Sequence, residues 1–233
     1  MGASVTSMRG TAPSLRDVVK ALEKHYGKPR RPAVTDPYEL LLLENVAYLV
    51  DDERRATVYR ALQERVGTQP EAILAARPDV LAAVIERGGM HPDRRADKLR
   101  RCAELARQIG LSRLRELVRQ GGAEARKMLK KFPGIGEPGA DRILLWGGSQ
   151  PTLAPESNGL RVLGRLGLIV EQKDYAATYR VAQSALRPVI PDDARWLLGA
   201  HQLLRRHGQD LCRRGEPLCG GCPLVAACRS ATA

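Results

Sequence analysis

Four of the five cysteines in this 233-residue chain fall within "CRRGEPLCGGCPLVAAC". They are Cys212, Cys219, Cys222 and Cys228, spaced C-x6-C-x2-C-x5-C. The N-terminus "MGASVTSMRG" offers no apolar export segment, and reducing compartments disfavour disulfides, so metal is the expected partner. Four thiolates suit either tetrahedral zinc or an iron–sulfur cluster. Zinc ribbons usually present two separate Cys-x2-Cys pairs. One such pair, with all four ligands in a single loop, suits a compact cluster, and spacing alone leaves both open. Cys102 stands apart in "KLRRCAELARQ" and reads as a small core residue.

Two further stretches carry chemistry. In "FPGIGEPGADRILL", Pro133, Gly134 and Gly136 predict a tight hairpin between helices, where glycine permits positive φ. N–H groups at the start of the second helix, with its dipole, can hold a phosphate oxygen. Lys130, Lys131 and Arg142 add positive charge. In "ELLLLENVAYLV", Glu44 has Leu40, Leu41, Ala47 and Tyr48 as its helical neighbours. A carboxyl so surrounded is costly to ionise and can protonate a leaving group; the other reading is an acid at the helix edge or bonded to nearby backbone. Asn45 and Tyr48 could line the same pocket.

These residues need helices to position them. Ser14 caps "LRDVVKALEKHY", with Leu15, Val18, Val19 and Leu22 on one face. "GKPRRPAVTDP" reads as a linker, and Asp36 and Pro37 open a helix predicted to reach Val50. Further helices fit 52–66, 70–76, 78–87, 93–109, 112–120, 122–131, 156–166, 173–187 and 192–210. No stretch alternates at period two, so the expected fold is all-α. The formal net charge of +12 points to a polyanionic partner. No apolar run reaches the roughly 18 residues that cross a bilayer. Gly2 and Thr6 fit a short myristoylation pattern, but the first residues read as a disordered start. Paired arginines (54/55, 94/95, 100/101, 205/206, 213/214) are mostly expected on solvated helix faces, except Arg213 and Arg214, which a rigid loop would present to phosphate. His91 reads as an exposed loop residue, and Trp146 and Trp196 as core.

The cysteine loop and the glycine hairpin together resemble the endonuclease III family of base-excision DNA glycosylases, which includes the adenine glycosylase MutY. The resemblance runs from about Pro37 to Cys228, with apolar helix, hairpin, acidic loop and cysteine loop in the family's order. It implies a [4Fe–4S] cluster on the four cysteines and a helix–hairpin–helix element gripping DNA backbone through Lys130, Lys131, Gly134, Gly136 and Arg142. It implies two helical domains flanking a DNA-binding cleft: a six-helix barrel, 35–152, and a cluster domain, 153–233, on which the N-terminal helix of 1–34 packs. The partner would be double-stranded DNA with a damaged or mispaired base, bound by a monomer in the cytoplasm at the nucleoid. The family's lysine nucleophile falls on Pro138, which has no amine. The family's aspartate, which steadies positive charge on the sugar, falls on Glu156, one methylene longer; Pro155 and Glu156 also suit a plain helix start. Asn158 matches an asparagine of MutY-like members, and Glu44 that enzyme's catalytic glutamate. The family's plugging glutamine is missing, with Leu49 nearest, where an apolar wedge could serve. The resemblance therefore implies a monofunctional glycosylase; a non-catalytic DNA binder and a lyase using another amine are the alternatives.

Overall fold

The computed structural model describes residues 12–149 and 151–231, so Gly2, Thr6 and the expected disordered start lie outside the described residues. Among the described residues the regular structure is helical, with one isolated bridge, Tyr48 to Gly89. The chain divides into two compact units, one formed by residues 1–31 and 151–233 and the other by 32–150.

In the unit of 32–150, proline repeatedly marks helix starts, because its missing N–H costs nothing in the first turn. This holds for α2 (Pro37–Val46), α4 (Pro70–Ala75), α5 (Pro78–Ile85) and α6 (Pro92–Ile109). Side-chain caps fix α2, where Asp36 accepts from the N–H groups of Tyr38 and Glu39, and α3 (Asp52–Arg65), where Asp51 accepts from Arg54. α6 is the hub, packing on α2, α4, α5 and α7 (Leu111–Gln120). Leu41, Leu62, Ile85 and Leu99 are fully buried between these helices. Cys102 is among them, and burial pushes its thiol up to about 12, as befits an inert core residue. α8 (Gly122–Leu129) and α9 (Glu137–Trp146) complete the unit.

α2 stops four residues short of the expected Val50. The Tyr48 N–H bonds to the Gly88 carbonyl at 2.8 Å instead of continuing the helix, and Leu49 takes φ 56°. A long-range backbone bond of that kind leaves no trace in helical periodicity.

In the other unit, α10 (Ser157–Arg165) packs along α12 (Ala194–Asp210), with α11 (Tyr175–Leu186) against α10. α1 (Leu15–Tyr26) packs on α12 through the apolar face expected from its spacing. The approach of α10 to α12 is close enough to require glycine: a Cβ on Gly208 would sit 2.7 Å from the Asn158 backbone oxygen. Two 3₁₀ turns, Cys219–Gly221 and Val225–Ala227, shape the C-terminal loop.

Candidate functional site

The hairpin between α8 and α9 is built as an exposed turn on a buried footing. Phe132 and Ile135 insert into the core at 2% and 6% exposure, while Lys130, Lys131, Gly134 and Gly136 stay exposed. Gly134 has φ 76°, and a Cβ there would lie 2.7 Å from Asn45 Oδ1. Asn45 cannot move aside easily, because it is buried and its Nδ2 donates to the Leu41 and Pro133 carbonyls, both at 3.0 Å. Asn45 is therefore a clamp between α2 and the hairpin, a tie that the expectation of a base-pocket residue did not include. Gly136, at φ −89°, needs no unusual backbone and serves as the N-cap of α9. Pro138 occupies the second position of that helix, so one of the N–H groups expected to face a phosphate does not exist. We expect Gly134→Ala to cost at least about 2 kcal/mol, from the left-handed backbone plus the overlap with Asn45. In a chain of this size that lowers Tm by about 4–8 °C in a circular-dichroism melt.

Glu44 and Arg142 are each other's partner. Nε of Arg142 donates to Oε1 of Glu44 at 2.9 Å, and Nη2 donates to Oε2. Both carboxylate oxygens thus act as acceptors. The apolar surround expected for Glu44 is not found: Leu40, Leu41 and Leu42 turn to the core, and Glu44 lies on the outer side of α2. Arg142 correspondingly is not a free phosphate ligand. Its i+98 partner could not be read from local spacing.

Tyr48 is 54% exposed and Leu49 75% exposed, on a loop that a buried arginine holds in place. Arg95, 4% exposed, donates to the carbonyls of Val46, Ile85, Glu86, Gly89 and Met90. It was expected on a solvated face. The adjacent Gly88–Gly89 was the available signal, since a Cβ on Gly88 would meet the guanidinium at 2.5 Å. His91, exposed as expected, ends this loop at φ 56°.

In the other unit Glu156 is the N-cap of α10. Its Oε1 accepts the N–H groups of Asn158 and Gly159 at 3.0 and 3.1 Å. Its Oε2 accepts Asn158 Nδ2 at 2.9 Å and lies 3.1 Å from Arg205 Nη1. The loop before it is anchored too, with His201 Nδ1 against the Ala154 oxygen at 2.8 Å and Gln183 Nε2 donating to the Leu153 oxygen at 2.6 Å. The result is a rigid, acceptor-only carboxylate, 8% exposed. Asn158 was singled out by its match to an asparagine of MutY-like members, as a residue of the base pocket. Its amide links Glu156 to Arg161, whose Nη2 donates to Asn158 Oδ1 at 2.6 Å and whose Nε donates to the Cys212 carbonyl at 2.9 Å. Arg205 belongs to the same cluster rather than to a solvated face.

Cys212, Cys219, Cys222 and Cys228 form no disulfide, are half-buried, and line one partly open concavity with Arg165, Leu218 and Val225. Burial and the neighbouring thiols both push Cys222 up from its ordinary range, a repulsion that bound positive charge would relieve. Among the described residues no three metal-binding side chains converge closely enough to chelate a single ion. Four thiols lining one concavity are a donor set of the kind that holds zinc or an iron–sulfur cluster. Donors surround them: Arg165 Nη1 lies 3.3 Å from Cys212 Sγ, and the Leu224 N–H 3.4 Å from Cys222 Sγ. Arg165 also donates to the carbonyls of Arg213 and Arg214, leaving both those side chains exposed on a braced backbone. Burial pushes His207, beside Cys222, down to about 4.

The structure thus gathers Glu156, Asn158, the four cysteines, Arg213 and Arg214 into one unit, and Glu44, Asn45, Tyr48, Lys130, Lys131, Gly134, Gly136 and Arg142 into the other. Sequence reasoning missed Arg161 and Arg165, although 158, 161 and 165 follow the three- and four-residue spacing of one helix face.

No family model matches the chain. It is 24% identical to endonuclease III of Thermotoga maritima over 216 residues, 92% of each chain. It is 26% identical to thymine-DNA glycosylase of Aeropyrum pernix, covering 83% of this chain and 82% of that one. Its fold is similar to that of endonuclease III trapped as a covalent intermediate with DNA, with a TM-score of 0.73 at 21% identity, covering 94% of this chain and 97% of the other.

Proposed function

We propose, for a chain that belongs to the endonuclease III-like family of helix–hairpin–helix DNA glycosylases, that it removes a damaged or mispaired base from duplex DNA by hydrolysis alone. The observation that carries this reading is Glu156, a carboxylate with every oxygen already accepting hydrogen bonds. Such a preorganised group can steady positive charge on the deoxyribose as the base leaves, with no reorganisation at that moment. The target nucleotide must be turned out of the stack, since its glycosidic bond is otherwise inaccessible. Leu49, large, apolar and exposed, is suited to fill the space left behind. Glu44, with both oxygens accepting from Arg142, is suited to take a proton from water rather than deliver one.

Pro138 supports hydrolysis without a Schiff base, because nothing at that position can form one. Lys130, Lys131, Arg213 and Arg214 are exposed and would contact phosphates. Cys212, Cys219, Cys222 and Cys228 would hold a [4Fe–4S] cluster, whose contribution when bound is to fix the shape of the loop carrying Arg213 and Arg214. Among the described residues no helix is long and apolar enough to cross a membrane. We place the protein, as a monomer, on nucleoid DNA in the cytoplasm.

Duplexes carrying uracil, mispaired thymine or adenine, oxidised pyrimidines or alkylated bases, incubated with the protein and then with alkali, test this reading. Breaks that need both protein and alkali are expected in at least one duplex. Binding without breaks in any of them makes the protein a DNA binder only. Breaks without alkali, with a borohydride-trapped adduct, make it a lyase using another amine.

A further inference from the structure

We infer that Tyr26 and His207 act as a hydrogen-bonded pair that tunes one cluster ligand, Cys222, from outside the cysteine loop. The inference rests on the iron–sulfur reading of the four thiols. His207 is 1% exposed and its ring stands between two partners. Tyr26 Oη lies 3.1 Å from Nδ1, and Cys222 Sγ lies 3.5 Å from Nε2.

Each ring nitrogen of His207 thus faces one hydrogen-bonding partner. A cysteine that ligates iron has lost its S–H. Cys222 Sγ also takes the backbone N–H of Leu224, so it is an acceptor toward both neighbours. An acceptor-only sulfur requires Nε2–H from His207, and the Tyr26 hydroxyl meets the other ring nitrogen, Nδ1. With a free thiol the reverse order is open, S–H donating to Nε2 and Nδ1–H to the phenol oxygen. A Tyr26 hydroxyl that donates to Nδ1 makes Nε2–H the stronger donor to the sulfur. Tyr26 is itself fixed at the end of α1: the Arg206 guanidinium lies 4.7 Å from its ring centre, and the His25 ring meets it edge-on at 4.5 Å.

A hydrogen bond to a ligand sulfur withdraws charge from it, which favours the reduced cluster and raises its potential. Neither side chain touches a reacting atom; both are positioning residues. The test uses the iron-loaded protein with Tyr26→Phe, His207→Phe and the double variant. The readouts are the reduction potential by voltammetry and the rate of iron release to a chelator, followed by visible absorption. Tyr26→Phe and His207→Phe should each lower the potential and speed release, by about tenfold for His207→Phe. The double variant should match His207→Phe, since the phenol acts only through the ring. A Tyr26→Phe protein with unchanged potential, or shifts that simply add, overturns the inference. If His207→Phe does not fold, Tyr26→Phe decides alone. A wild-type protein that takes up no iron overturns the cluster reading, and this inference with it.

Discussion

Glu156→Gln loses base release by about 10²–10³-fold while duplex binding is retained, the size expected when one preorganised electrostatic group is removed from a reacting centre. The substitution keeps an oxygen that can still accept the N–H groups of Asn158 and Gly159. It places an amide nitrogen or a neutral oxygen where Oε2 now meets Arg205 and Asn158. The lost charge-assisted contacts cost about 2 kcal/mol of stability. Single-turnover rates should therefore be compared at a temperature where circular dichroism shows both proteins folded. Binding has no reason to weaken, because removing an anion beside a polyanion relieves repulsion. Full activity in the variant would reduce Glu156 to a helix cap.

The second large effect concerns the cysteine loop. Cys219→Ser should give a colourless protein that lacks the broad visible absorption of the wild type. Arg213 and Arg214 would then sit on a loop held by hydrogen bonds from Arg161 and Arg165 and by short 3₁₀ turns, without the four-ligand clasp. If both arginines meet phosphates, the slope of log binding constant against log salt should fall by about 2, one for each lost contact. An unchanged slope after loss of iron would take the loop out of the DNA interface. A colourless wild-type protein with one zinc per chain would replace the cluster by a single ion. Cys219 suits this experiment because, unlike Cys222, it is outside the Tyr26–His207 contact.

Helix existence was legible in the sequence because it depends on local matters: apolar spacing, Asp and Ser caps, and proline at first turns. α1 follows its pattern residue for residue, and its four predicted apolar positions are its buried ones. The four cysteines could be singled out because ligands within one loop need only short-range geometry to converge. Gly134 was legible for the same reason, since a turn is a local object.

Contacts distant in the chain decided the rest. Glu44 seemed apolar in its setting only because helical spacing counts its own neighbours and is blind to Arg142, 98 residues away. Asn45 went to the hairpin, Arg95 inward to five carbonyls, and Asn158 to Arg161, each because a distant backbone or charge came within hydrogen-bond reach. By itself the sequence determined an all-helical chain with a thiol loop, a glycine hairpin and acids at marked positions, since capping, periodicity and ligand spacing are written within a few residues. Only the tertiary structure decided which polar groups are already spent on one another and which, like the Lys130 and Lys131 side chains, remain exposed, because hydrogen bonds form between whatever the fold brings within about 3 Å.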